Sequence, residues 1–79
     1  MEKHIFCKVY EYEDRQILVQ KEYNGEDENY YIKVTTSVGE LLTMLSYGFA
    51  NEEASIECFD ALTKDKALEL FKNIGIIKQ

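Results

Sequence analysis

The stretch Ser37-Val38-Gly39-Glu40-Leu41-Leu42-Thr43-Met44-Leu45-Ser46-Tyr47-Gly48-Phe49 has two readings, and the choice between them decides the fold. As a helix, Ser37 to Glu40 form a capping box, Leu41, Leu42, Met44 and Leu45 follow at helical spacing, and Gly48 is the stop. As a strand, Leu41, Thr43, Leu45, Tyr47 and Phe49 alternate with Leu42, Met44, Ser46 and Gly48, and Val38-Gly39 becomes a hairpin turn. Leu, Met and Glu favour helix. A surface helix here would nevertheless carry almost no charge on its wet face, which is unusual. The strand reading is therefore preferred, with the helix as its alternative.

Upstream, period-two alternation dominates. Residues 4–12 place Ile5, Cys7 and Val9 on one face and Phe6, Lys8, Tyr10 and Tyr12 on the other. Glu13-Asp14 reads as a polar turn. Residues 16–23 place Ile17 and Val19 opposite Leu18, Gln20 and Glu22. Asn24-Gly25 is the strongest short-range turn signal, since both residues tolerate positive φ, so the loop 24–28 closes a hairpin. Tyr30 to Thr36 is rich in β-branched and aromatic residues, as strands are.

Downstream, Asn51 is a good N-cap, with Glu52 and Glu53 placed for the positive end of a helix. Ile56, Cys58, Phe59 and Leu62 give it an apolar stripe. Thr63 caps a second helix, in which Ala67, Leu70, Phe71 and Ile74 recur at helical spacing before Gly75 stops it. Ile76 and Ile77 can then pack back onto that helix. The expected architecture is α+β. An antiparallel meander of three or four strands (about 4–12, 16–23, 29–36 and, in the four-strand form, 40–49) is followed by two C-terminal helices (about 52–62 and 64–74) packed on one face. The first strand's apolar Ile5, Cys7 and Val9 are expected beneath the helices, which turns Tyr10 and Tyr12 outward.

A chain of 79 residues makes one domain. At this size folding buries about 60–65% of the unfolded surface, so modest stability is expected. Hydrophobic residues, 46% of the chain, suffice for a core and argue against disorder. No apolar run is long enough to span a membrane. Met1-Glu2-Lys3-His4 lacks the apolar segment of a signal peptide, so a cytoplasmic location is expected. Cys7 and Cys58, far apart and each in an apolar pattern, read as two free core thiols rather than a metal site or a disulfide.

Catalytic motifs are lacking. His4, the one histidine, sits near the terminus and reads as a surface residue. Ser37, Ser46 and Ser55 stand in no nucleophile-elbow context. The four glycines form no phosphate loop, each being explained by a turn or a helix end. Glu26-Asp27-Glu28 departs from the alternating acids of a calcium loop. The expectation is a protein that is not an enzyme and binds no cofactor and no metal.

Charge and aromatics give two candidate contact surfaces. With 15 acids against 9 bases the net charge is −6, which disfavours direct nucleic-acid binding and suits a protein partner with a basic surface. In an up-and-down meander the 24–28 turn and the start of the first helix fall at the same end. That gathers Glu22, Glu26, Asp27, Glu28, Glu52 and Glu53 into an acidic patch able to imitate a phosphate backbone. The second candidate is aromatic: Tyr10, Tyr12, Tyr30 and Tyr31 as anchors for a partner. In size and charge alone the chain resembles small acidic proteins of phages and mobile elements, some of which, the anti-CRISPR proteins, block host nucleases. The resemblance implies an inhibitor acting by nucleic-acid mimicry and assigns no residues. The alternative is a self-associating structural or regulatory subunit, a homodimer joined through a sheet edge or the Ile76-Ile77 tail.

Overall fold

The computed structural model describes residues 5–13, 15–38 and 40–75. The chain is a four-strand antiparallel meander followed by two helices. In order these are β1 (Ile5–Tyr12), β2 (Arg15–Asn24), β3 (Asn29–Val38), β4 (Leu41–Phe49), α1 (Glu52–Ala61) and α2 (Lys64–Asn73). Strands neighbour one another in sequence order. The disputed stretch is thus a strand, paired with β3 along its whole length from Val38↔Leu41 to Tyr30↔Phe49. Its alternation runs as expected: Leu45 and Phe49 pack against the core, while Leu42, Met44 and Ser46 are exposed.

The core is one-sided. Ile17 and Val19 of β2 and Ile32 and Val34 of β3 meet Leu62, Ala67, Leu68 and Phe71 of the helical layer. Thr36 is buried beside them, its hydroxyl donating to the Gln16 carbonyl at 3.1 Å, so the polar group is satisfied. Buried Ser55 faces the sheet from α1, its hydroxyl donating to the Glu52 carbonyl at 2.7 Å. The helix stripes are largely the expected ones, with Cys58, Phe59, Leu62, Ala67, Leu70 and Phe71 all on the core, but Ser55 rather than Ile56 turns inward in α1. In α2, Leu68 is buried and Ile74 is half exposed.

Register corrects the reading of β1. Lys8 lies opposite Val19 and Tyr10 opposite Ile17, so the Phe6, Lys8, Tyr10 and Tyr12 face is the one that shares the core side. Tyr10 and Tyr12 are half-buried against the core rather than turned outward. Cys7 is exposed and Val9 half exposed on the open side, so Cys7 is not a core thiol. The cause is the amphipathic build of the buried side chains. Tyr10 donates its hydroxyl to the Leu62 carbonyl at 3.0 Å, and Lys8 donates to the Phe59 carbonyl at 2.6 Å, with its ammonium 4.4 Å from the Phe59 ring centroid. The last turn of α1 has no basic residue of its own, so Lys8 supplies the cation that the negative end of that helix favours. Half-buried Cys58 sits nearby; burial pushes its thiol pKa up, and the Lys8 charge opposes that rise.

Local signals at the ends of elements hold. Asn51 caps α1 by accepting from the Ala54 N–H at 3.3 Å, Thr63 caps α2 by accepting from the Lys66 N–H at 3.4 Å, and Gly75 ends it at φ 79°. The β2–β3 hairpin forms where expected, but by a different route. Asn24 pairs with Asn29 around the turn 25–28, and the positive φ of 58° falls on Glu28 rather than on Asn24 or Gly25. Side chains hold the turn: Asn24 Oδ1 accepts from the Glu26 N–H and Asp27 Oδ1 from the Asn29 N–H, at 2.9 and 3.0 Å. The readings of His4 and of Ile76 and Ile77 fall outside the described residues, as do Asp14 and Gly39 of the two other hairpin turns.

Two outcomes follow in equilibrium urea unfolding. Lys8→Met keeps the apolar stem but removes the charge-assisted hydrogen bond and should cost about 1–2 kcal/mol. Glu28→Gly relieves a left-handed backbone conformation and should raise stability by about 0.5–1 kcal/mol.

Candidate functional site: the hairpin end

β4 ends opposite Tyr30, so the chain enters α1 beside the β2–β3 hairpin. This junction places Glu26, Asp27 and Glu28 of the turn near Glu52 and Glu53 of the first helical turn, all of them exposed. Glu22 stands apart. It lies on the open sheet face, where its carboxylate is ion-paired with Lys33, so its charge is locally neutralised.

At the same end, beside the α1 start, lies a groove of about 500 Å³ lined by Phe6, Lys21, Glu22, Tyr23, Tyr30 and Glu52. Its floor is aromatic. Tyr23 and Tyr30 face each other across the strands, with ring centroids 4.8 Å apart and planes tilted by 44°. The Lys21 ammonium lies 4.6 Å from the Phe6 ring centroid, and Phe6 is 55% exposed, which leaves its ring open to a partner. The pKa of the Tyr30 phenol is raised, first by desolvation and then by the nearby Glu52 carboxylate and Tyr23. It therefore remains a neutral hydrogen-bond donor well above neutral pH.

Tyr31 belongs to the opposite face of the sheet. Its hydroxyl donates to Asp27 Oδ2, tying the acidic turn to β3. This hydrogen bond is the largest influence on both groups: it lowers the Asp27 pKa and raises that of Tyr31. The Tyr31 ring also lies over Gly48, where a Cβ would come within 3.2 Å of it. Glycine at 48 is what lets the ring lie against β4.

Of the residues singled out from the sequence, five of the six acids gather at one end with no ion-pair partner among the described residues, and Tyr30 and Tyr31 flank them on opposite faces of the sheet. Tyr10 and Tyr12 serve the core side instead. The groove also takes in Phe6, Lys21 and Tyr23, and the two-residue alternation of Ile17 and Val19 continues through Lys21 and Tyr23 onto the helix-bearing face. A second groove, of about 570 Å³, includes Glu11, Glu13 and Arg15 in its lining and mixes both signs of charge. Among the described residues no group of three or more His, Cys, Asp or Glu is placed to hold a metal ion. No helix among them is long and apolar enough to cross a membrane. Comparisons with protein-family models, with curated proteins and with solved structures give no match.

Tyr31→Phe should move the Asp27 carboxyl pKa up toward the ordinary carboxylate value in an NMR titration. The sign of the linked stability follows. A lowered Asp27 pKa stabilises the fold above the ordinary carboxylate range, and that contribution is lost as pH falls through the lowered value. A raised Tyr31 pKa stabilises below the ordinary phenol range and is lost as pH rises through the raised value. The tie therefore acts across neutral pH, and Tyr31→Phe should flatten both flanks of the stability–pH curve.

Proposed function

We propose that this protein is a non-catalytic binding module that docks its hairpin end on the basic surface of a protein partner. The observation that carries the reading is that exposed carboxylates on the 25–28 turn and the α1 start share one end with a partly open aromatic groove. Carboxylates steer a basic partner and set its orientation, while Phe6, Tyr23 and Tyr30 supply apolar area that can be desolvated. Glu26, Asp27, Glu28, Glu52 and Glu53 act as the charged rim. Glu22 contributes less because Lys33 already engages it. Tyr31 acts by holding Asp27.

In its specific form, the proposal is that these carboxylates occupy a groove built for a phosphate backbone. The protein would then be an inhibitor of a host nucleic-acid-binding complex, of the kind encoded by phages. That form rests on size and charge, together with the clustering of the acids. Nucleic acid itself is disfavoured as a ligand by the net charge of −6.

Paired affinity capture from the native host tests this, with the unaltered chain and the E26K/D27K/E28K variant as baits. A basic protein should be retained by the first, released by raised salt, and reduced tenfold or more (roughly 1.4 kcal/mol) on the second. Equal retention on both baits would remove the acidic end from the mechanism.

A further inference from the structure

β4 is an edge strand, with β3 on one side and, among the described residues, no strand on the other, so half of its backbone hydrogen-bonding groups face away from the sheet. Exposed edges are ordinarily blunted by charge, proline or a bulge. None of the nine residues Leu41–Phe49 is charged, in a chain where 30% are, and the chain contains no proline. The pairing with β3 runs from Leu41 to Phe49 one residue to one, without a bulge. The other edge, β1, differs: it carries Lys8 and Glu11. Along β4, Leu41, Leu42 and Met44 are 65%, 75% and 56% exposed, an apolar run that burial against a partner would favour.

We propose that β4 is a self-association edge, pairing antiparallel with β4 of a second copy about a twofold axis near Leu45 to give a continuous eight-stranded sheet. Charge selects this occupant. Two chains of net charge −6 repel, so a self-contact is favoured on a strip free of acids, and β4 is such a strip. The acidic hairpin end lies at the Phe49 end of the strand. Antiparallel pairing sends the two acidic ends to opposite ends of the joined sheet, about 30 Å apart for a nine-residue strand. That separation is beyond the screening length at physiological salt. A twofold edge contact is also self-complementary, since Met44 meets Ser46 of the second copy and Ser46 meets its Met44. Both residues lie on the open face, where no helix packs. A dimer of this kind would present two acidic ends to a partner with repeated basic sites, although the edge pairing stands without any such partner.

Sedimentation velocity over a dilution series of the full chain tests the proposal. The expected result is a reversible dimer of twice 9.3 kDa, with alternate β4 amides slowed in hydrogen exchange as the dimer forms. M44K/S46K and M44E/S46E should each weaken dimerisation by about tenfold or more, because like charges then face each other across the new strand pair. Their circular dichroism should remain that of the unaltered chain. An equimolar mixture of the two variants should recover the dimer. A chain that stays monomeric at every concentration overturns the proposal and leaves the edge to a peptide or another protein. So does a dimer that persists in both variants, or a mixture that fails to recover it.

Discussion

The structure depends on one-sided burial. Two helices of ten residues each cannot cover both faces of a four-strand sheet, so they are committed to the side that carries Ile17, Val19, Ile32, Val34 and Thr36. Strand register with these five positions decides the orientation of every other strand residue, because a side chain directly opposite a buried one shares its face. Tyr10, Lys8, Leu45 and Phe49 are drawn toward the helices in this way. Cys7, Val9, Leu42 and Met44 are left on the open side.

Limited cover also explains why long amphipathic side chains do structural work here. The helical layer reaches β1 through Lys8 and Tyr10, whose stems pack while their polar ends find carbonyls near the end of α1. A smaller apolar residue at either position would leave those carbonyls without a partner from the sheet. The helix joint at Leu62 and Thr63 is therefore held by the first strand of the chain. Where the layer ends, Phe6, Tyr23 and Tyr30 remain partly open, and the groove they form is a direct result of a sheet longer than its cover.

Electrostatics divides the molecule further. Acids collect where the β2–β3 turn and the α1 start adjoin, for two unrelated local reasons. Turn residues such as Asp27 accept backbone hydrogen bonds, and Glu52 and Glu53 complement the positive end of a helix. Asp27, Glu52 and Glu53 thus have stabilising local roles, and with exposed Glu26 and Glu28 they concentrate negative charge at this end. The strip that lacks charge, β4, is the edge of the sheet and ends beside this acidic hairpin end.

The sequence by itself determined the α+β class, the meander, both helix caps and the hairpin at Asn24-Gly25. Each of these depends on residues adjacent in the chain: period-two alternation, a capping side chain three residues from its donor, a turn-forming pair. It also placed the acids of the turn and of the α1 start at one end, because an up-and-down chain returns to the turn's end after two crossings, β3 away and β4 back. Tertiary structure alone decided which face of β1 is inside. Both of its faces are apolar enough to bury, and only pairing with β2 and the reach of Lys8 and Tyr10 to α1 distinguish them. It also decided that Glu28 takes the left-handed conformation, that Ser55 and Leu68 turn inward, and that Lys33 neutralises Glu22. These are contacts between residues far apart in sequence, or a loop geometry imposed by strand register, and no local pattern encodes them.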